Sequence, residues 1–398
     1  MKRSIIAFVL LMAVVTGVKS QAVNENYSRS SIYSLCISHQ NTTYCKEINE
    51  VFVAMPVPDK FDNHDLNIKI LTSPGSKEDE KSINRFLTTN NVGRRLVGKW
   101  FDRDPANGQC GLEIISRRGL YDADYYDVEL ARQSIRGEAM LKDAGEELIK
   151  NTFVLVNDIR YVDKENSAKI GGAVLRGLGH VAGPYALNIT DQLARLVEGI
   201  RGFRVIVTSY LYQLEWNDDV AAKFYNDYYI GAGRTDEAKR MAFNDNNYSF
   251  NLRFIGEKRI DSGETSYAGV FEPKGMIRKV CMRAIDKSVV ELQKAYDEFK
   301  VKTPIYAVSP DITAKIGMKE GMTDKSRYEV LERVQDDKGI THYKRVGVIA
   351  PVPGKIWDNR YMAVEEKSEG SDFTCSTFKK VSGGDFQPGM LIREMKIQ

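Results

Sequence analysis

The chain has 398 residues, of which 42% are hydrophobic and 28% charged, an ordinary globular composition with room for two or three domains. Its 57 basic and 54 acidic residues leave a net charge of +3, so no whole-chain field indicates nucleic acid as a partner. The five cysteines and four histidines form no CxxC or HExxH motif, so neither a metal site nor a cofactor is predicted.

The first twenty residues are typical of a secretory signal peptide. Lys2 and Arg3 precede an apolar run, Ile5–Val15, that is too short to remain as a membrane anchor, and residues 18–20 resemble a cleavage site. The alternative is a buried N-terminal helix. No cysteine follows the apolar run, which argues against a lipid anchor. We therefore expect an exported protein that is periplasmic, outer-membrane-associated or extracellular.

Residues 21–100 are predicted to form an N-terminal α/β segment. Its predicted strands are the β-rich runs Ser31–Ser38, Glu50–Val57 and Asp65–Leu71. They are followed by a predicted helix, Lys77–Trp100, with an interruption near Asn90. Cys36 and Cys45 flank a turn-like stretch and are a possible disulfide in an oxidising compartment. The alternative is that both are small buried residues.

Residues 101–302 are predicted to form a central α/β domain. The strands predicted from β-rich runs are Gly111–Ser116, Asn151–Val162, Phe203–Trp216 and Ser249–Ile260. The helices predicted from three- and four-residue apolar spacing lie within Asp124–Ile149, Val220–Tyr229, Thr235–Phe243 and Met276–Lys302. Strand Asn151–Val162 is the most continuous apolar run, and we expect the rest of the chain to be arranged around it and strand Phe203–Trp216.

A glycine-rich apolar insert, residues 169–185, separates the second and third of those strands. It lacks the GxxxxGK[ST] spacing of a phosphate-binding loop, so nucleotide binding is not indicated. It is either a plain surface loop or an apolar element that docks on a partner or a membrane surface. The predicted contact residues are Gly171, Leu175, Leu178, His180 and Tyr185 in the insert, with Tyr212 and Trp216 on the following strand.

From residue 303 to residue 398 the sequence changes to short β-rich runs between turns. They are Ile305–Ser309, Arg327–Arg333, Tyr343–Ala350, Tyr361–Glu365, Phe373–Val381 and Met390–Met395. This spacing predicts a small C-terminal β-barrel or sandwich, with the boundary at Pro304.

No catalytic residue is predicted. GxSxG is absent, and the acidic pairs are adjacent in sequence, so their side chains diverge. One alternative function uses the aromatic residues around Tyr210–Tyr229. With Asp218, Asp219 and Asp227 they could form a glycan-binding or glycan-processing site, if two carboxyl groups converge. Core packing is the other explanation of the aromatic residues.

The order of elements in residues 111–216 resembles that of exported α/β proteins of the curli-secretion-channel type. The resemblance rests on an S-R-R-G-L corner at 116–120, a helix ending in small residues at 143–149, and strands Phe153–Ile159 and Phe203–Leu214 around a variable insert. The lipid-anchored cysteine of that family is absent, and this insert does not alternate like a membrane hairpin. The resemblance therefore does not imply pore formation. It implies a non-catalytic envelope protein that assembles with others.

The C-terminal region is similar to the small β-domain of flagellar accessory proteins. The matching features are a turn from Gly317 to Met322 before a strand and a late turn with Gly384, Asp385 and Gly389 before the last strand. The resemblance implies a small β-domain in an envelope protein.

The sequence thus predicts an α+β or α/β protein in which a mixed sheet with flanking helices precedes a small β-domain. The predicted function is that of an exported structural or assembly protein that contacts other envelope proteins or itself. Peripheral membrane contact and glycan binding remain open.

Overall fold

The computed structural model describes residues 30–40, 42–58, 60–73, 79–122, 148–163, 200–245, 250–267, 273–335, 341–361 and 373–396. These residues form a mixed sheet flanked by helices and then a closed six-stranded barrel. The predicted fold class is therefore confirmed. Among the described helices, none has the length and apolar character needed to cross a bilayer.

The sheet combines parallel and antiparallel pairing. Its strands are β1 (Ser30–His39), β2 (Phe61–Asn63), β3 (Ile70–Ser73), β4 (Thr152–Asp163), β5 (Ile200–Leu214) and β6 (Leu252–Tyr267). The order is β2-β1-β4-β5-β6, and β3 continues beside β1 on the same side as β2. Strand β1 runs parallel to β2, β3 and β4, whereas β4, β5 and β6 are antiparallel. Strand β4 therefore lies in the middle of the sheet, between β1 and β5.

The helices of this part of the chain are α1 (Cys45–Ala54), α2 (Glu80–Thr89), α3 (Val92–Trp100), α4 (Glu113–Asp122), α5 (Asp218–Asp227), α6 (Glu237–Asn244) and α7 (Pro273–Ala295). Side chains cap the N-termini of α2, α5 and α6. The Oδ1 atoms of Asp79, Asn217 and Asp236 accept hydrogen bonds from backbone N–H groups at the third helical residue, at 2.9–3.0 Å. Such caps satisfy donors that have no partner within the helix.

Two predicted strands are wrong because the chain is helical there. Glu50–Val57 overlaps α1, in which Ile48 and Phe52, four residues apart, are both buried. Gly111–Ser116 overlaps α4, so the S-R-R-G-L segment lies within a helix instead of forming a corner. Both runs are short and apolar, and periodicity alone does not separate a buried strand from a helix in such runs.

The predicted strand Asp65–Leu71 is shorter than expected. Asn67 has a positive φ of 65°, and its backbone N–H donates to the carboxylate of Asp65 at 2.6 Å. This Asx turn breaks the extended conformation, so strand β3 begins only at Ile70.

The alternating side chains of the strands build a core on each face of the sheet. On one face, Tyr33, Leu35 and Val156 pack against α2 and α3. On the other face, Val205 and Val207 pack against α1 and α7. Each fully buried aliphatic side chain of this kind stabilises the fold by about 1.5–3 kcal/mol, so the two-sided core fixes the register of the central strands.

The C-terminal part is a closed antiparallel barrel. Its strands are β7 (Thr303–Ala307), β8 (Ile312–Ala314), β9 (Tyr328–Gln335), β10 (Thr341–Pro351), β11 (Ser376–Gly383) and β12 (Leu391–Glu394). They close in the order β10-β11-β8-β7-β12-β9. Tyr361 is not in a strand, and the rest of the predicted strand Tyr361–Glu365 lies outside the described residues.

Helix α7 joins the sheet to the barrel. A Cβ atom added at Gly321 of the barrel would lie 2.5 Å from Val290 Cγ1 of the helix, so only glycine permits this close approach. On the same helix, Arg283 donates to the carbonyl oxygen of Tyr361 at 3.0 Å. The helix that covers β5 and β6 therefore also holds the barrel.

Candidate interaction surface

The insert predicted as a contact element lies outside the described residues. This applies to Gly171, Leu175, Leu178, His180 and Tyr185. Their role in partner contact stays a prediction.

Tyr212 lies in the interior and not on a contact surface. Its side chain is fully buried, its ring packs on Phe254 with centroids 5.2 Å apart, and its hydroxyl donates to the carbonyl oxygen of Glu80 at 3.4 Å. Burial raises the pKa of this hydroxyl far above its ordinary value. The residue holds α2 on the sheet, because β5 points its even-numbered side chains into that core.

Trp216 is half-buried within an aromatic cluster. Its ring centroid lies 5.9 Å from that of Phe101, 5.8 Å from that of Phe224 and 6.5 Å from that of Phe250. Rings at these distances stabilise one another beyond the area that they bury. The packing explanation of the aromatic residues therefore accounts for Trp216.

The carboxylates of the glycan alternative are spread along one helix. Asp218, Asp219 and Asp227 are all exposed on α5. Asp218 and Asp227 stand at its two ends, about 14 Å apart along the axis at 1.5 Å per residue. This exceeds the roughly 5–10 Å that separates paired carboxyl groups in glycosidases, and Tyr210, the first aromatic residue of the proposed site, is buried. The arrangement does not favour a glycosidase site.

Cys36 and Cys45 carry free thiols in this structure. Cys36 is buried in the core beneath α1 and α7, where burial raises the pKa of its thiol well above the ordinary value. Cys45 begins α1, and its Sγ atom lies 3.2 Å from Ser38 Oγ. No disulfide joins the pair here, and its formation in an oxidising compartment stays a prediction.

A buried ionic cluster lies where β1 ends beside β4. His39 Nε2 is 2.7 Å from Asp158 Oδ1, and Arg160 Nε is 3.4 Å from the same oxygen. Asp158 is completely buried and His39 nearly so. Among the described residues, the second carboxylate oxygen of Asp158 has no hydrogen-bond partner, and neither do Nε and Nη2 of Arg160.

The position of this cluster follows from the crossover connections. The connection from β1 to β3 carries α1 on one face of the sheet, and the connection from β3 to β4 carries α2 and α3 on the other. Ligands of open α/β sheets bind at such switch points. Ser38, next to His39 in an extended strand, points to the opposite face with Cys45. His39 is therefore not placed to take a proton from the Ser38 hydroxyl or the Cys45 thiol.

The outer edge of β6 is an extended polar surface of the sheet. No other described strand pairs with this edge. Glu257, Arg259 and Asp261 are exposed and alternate along one face of β6, opposite Tyr210, Thr208 and Ile206 of β5. Asp261 also forms a bidentate ion pair with Arg204 of β5. The edge thus carries a negative, a positive and a negative charge at two-residue spacing.

A bulge marks one end of this regular edge. The β5–β6 register shifts after Leu211, opposite Gly256. A Cβ atom at Gly256 would overlap the hydroxyl of Tyr296, 2.0 Å away. Glycine therefore lets the ring that follows α7 lie directly on the strand, and regular pairing of the edge begins beyond it.

The alternation of charges is visible in the sequence, but their position is not. The apolar content of Ser249–Ile260 predicts a strand there, and the structure extends it to Tyr267. Whether a strand lies at the centre or edge of a sheet depends on pairing with distant segments, so the sequence alone does not identify this surface.

No protein-family model and no curated protein matches this chain. Among the described residues, no group of three or more His, Cys, Asp or Glu side chains could hold a metal ion.

Proposed function

We propose that this chain is an exported, non-catalytic structural protein of the cell envelope or cell surface that acts by protein–protein contact within an assembly. The observation that carries the proposal is the outer edge of β6, a strand of 16 residues with no described neighbour on that side. Such an edge offers a row of backbone donors and acceptors to another strand.

The rest of the described fold supports this role for β6. The barrel is closed, and closure removes strand edges from that part of the molecule. Helix α7 packs on β5 and β6 and also contacts the barrel. A partner that pairs with β6 would therefore be held at a fixed place relative to both parts.

The test is chemical crosslinking in intact cells that express the tagged full chain. We expect the tag in the exported fraction and in crosslinked species heavier than one chain. A chain without residues 1–20 should stay inside the cell and is the control for export. Recovery of the exported chain only as single molecules would contradict the proposal.

The insert offers a second contact that the same experiment examines. Deletion of residues 171–183 should reduce the crosslinked species if the insert docks on the partner. If the insert is a plain loop, the deletion leaves those species unchanged, and the contact is carried by β6 alone.

A further inference from the structure

We propose that the partner at the edge of β6 is a second copy of this chain, paired antiparallel through β6 about a twofold axis centred on Ile260. This inference rests on the proposed function and names the partner. It is carried by the charge pattern of the edge, by its exposure and by the register that the pattern permits.

The charges on the outer strand are self-complementary in only one register. In an antiparallel pair related by a twofold axis, opposing residue numbers add up to a constant. The axis passes through a residue position, because opposing side chains point to the same face. When the axis passes through Ile260, Arg259 of each copy lies opposite Asp261 of the other copy.

The remaining positions of that register contain no conflict. Glu257 lies opposite Gly263 of the second copy, and Lys258 lies opposite Ser262. On the face that α1 and α7 cover, the two Ile260 side chains meet at the axis. No charged side chain opposes one of the same sign, and opposite charges directly across a strand pair are favourable.

Neighbouring registers place like charges together. An axis through Arg259 sets that residue opposite its own copy and Glu257 opposite Asp261. An axis through Lys258 or through Asp261 likewise sets that residue opposite its own copy. Like charges directly opposite each other destabilise a strand pair, so these registers are disfavoured. The self-complementary register fits entirely on the regular part of β6, beyond the bulge at Gly256.

Charged side chains on an edge strand also have a protective use, which is to keep the edge unpaired. Protection needs charge but no particular order of signs. Alternation centred on an apolar residue is the pattern that a symmetric pair needs. The two explanations predict different masses in solution, so the experiment separates them.

The test exchanges charges between copies. In a dimer of Arg259→Glu chains, the introduced glutamate of each copy faces Asp261 of the other. In a dimer of Asp261→Arg chains, the introduced arginine of each copy faces Arg259 of the other. Each variant should weaken self-association by roughly tenfold or more. An equal mixture of the two variants restores both ion pairs in a mixed dimer, because the introduced glutamate of one copy then faces the introduced arginine of the other. Light scattering after size-exclusion chromatography measures the mass, and circular dichroism confirms the fold.

The expected result is a wild-type mass of twice one chain, a single-chain mass for each variant and recovery of the dimer on mixing. Lys325→Glu reverses an exposed charge before β9 of the barrel and should leave the dimer intact. A monomeric wild type, variants that dimerise like the wild type, or a mixture that stays monomeric would each overturn the inference. If any of these results is found but heavier crosslinked species still form in cells, the proposed function is supported and the partner is a protein other than a second copy.

Discussion

His64 shows how a single buried side chain makes the stability of this fold depend on pH. Its Nε2 atom lies 3.0 Å from the carbonyl oxygen of Leu96, and its ring stacks on Trp100 with centroids 5.0 Å apart. Burial is the main cause that lowers the pKa of His64 to about 4, and the positive charges of Lys99 and Arg118 act in the same direction. The hydrogen bond to Leu96 opposes this shift.

The sign of the pH effect follows from the two pKa values. An unfolded histidine has a pKa near 6.5, so the unfolded chain binds this proton first as the pH falls. The contribution of neutral His64 is fully present above pH 6.5 and is lost as the pH falls towards 4, by roughly 3 kcal/mol. We expect His64→Gln to reduce the slope of the free energy of unfolding against pH in this window. Chemical denaturation at several pH values measures the slope; an unchanged slope would refute the assignment.

Removal of the Asp158 carboxylate should also lower the free energy of unfolding. It holds His39 at 2.7 Å in a buried site, and loss of one partner of a buried pair leaves the other charge or dipole without compensation. Asp158→Asn should lower the free energy of unfolding by about 3 kcal/mol. Glu237→Gln, at a carboxylate that pairs with Arg240 on the exposed surface, is the control and should cost much less. Equal losses at both positions would show that burial does not set the value.

At the scale of elements, the contact between β6 and the ring after α7 depends on one glycine. Gly256→Ala would place a methyl group on the hydroxyl and ring of Tyr296, and such overpacking costs about 1–3 kcal/mol. Gly384→Ala, where the added carbon meets no atom within 4 Å, is the control and should change stability little. Thermal unfolding of both variants measures the difference. Equal midpoints would mean that the ring moves aside freely.

The same scale shows what can be predicted from sequence. The long strands β4 and β5 and helix α7 are predictable because each contains enough apolar residues to reveal its period. Helices α1 and α4 are mistaken for strands because short apolar-rich runs fit both periods. The edge position of β6 and the meeting of His39 with Asp158 depend on pairing across distant parts of the chain, 119 residues apart for the latter pair, which local patterns do not encode.

At the scale of the whole molecule, the junction between the sheet and the barrel contains a buried carboxylate whose ionised form lowers the stability of the fold. Glu394 of β12 accepts a hydrogen bond from Ser326 Oγ at 3.0 Å. Burial raises its pKa, although this hydrogen bond and the charges of Lys294 in α7 and of Lys300 beyond it act in the opposite direction. The native state therefore holds this proton more tightly than the unfolded chain does.

That difference fixes how the junction should respond to pH. Stability from this group is greatest below the ordinary glutamate pKa and falls as the pH rises towards the raised value. Glu394→Gln keeps an oxygen for Ser326 but cannot ionise, so it should be more stable than the wild type at neutral pH and lose that advantage in acid. Denaturation at pH 7 and pH 4 compares the two proteins. If the variant were less stable than the wild type at pH 7 and this loss faded at pH 4, the carboxylate charge would instead be a net support of the junction through its attraction to Lys294 and Lys300.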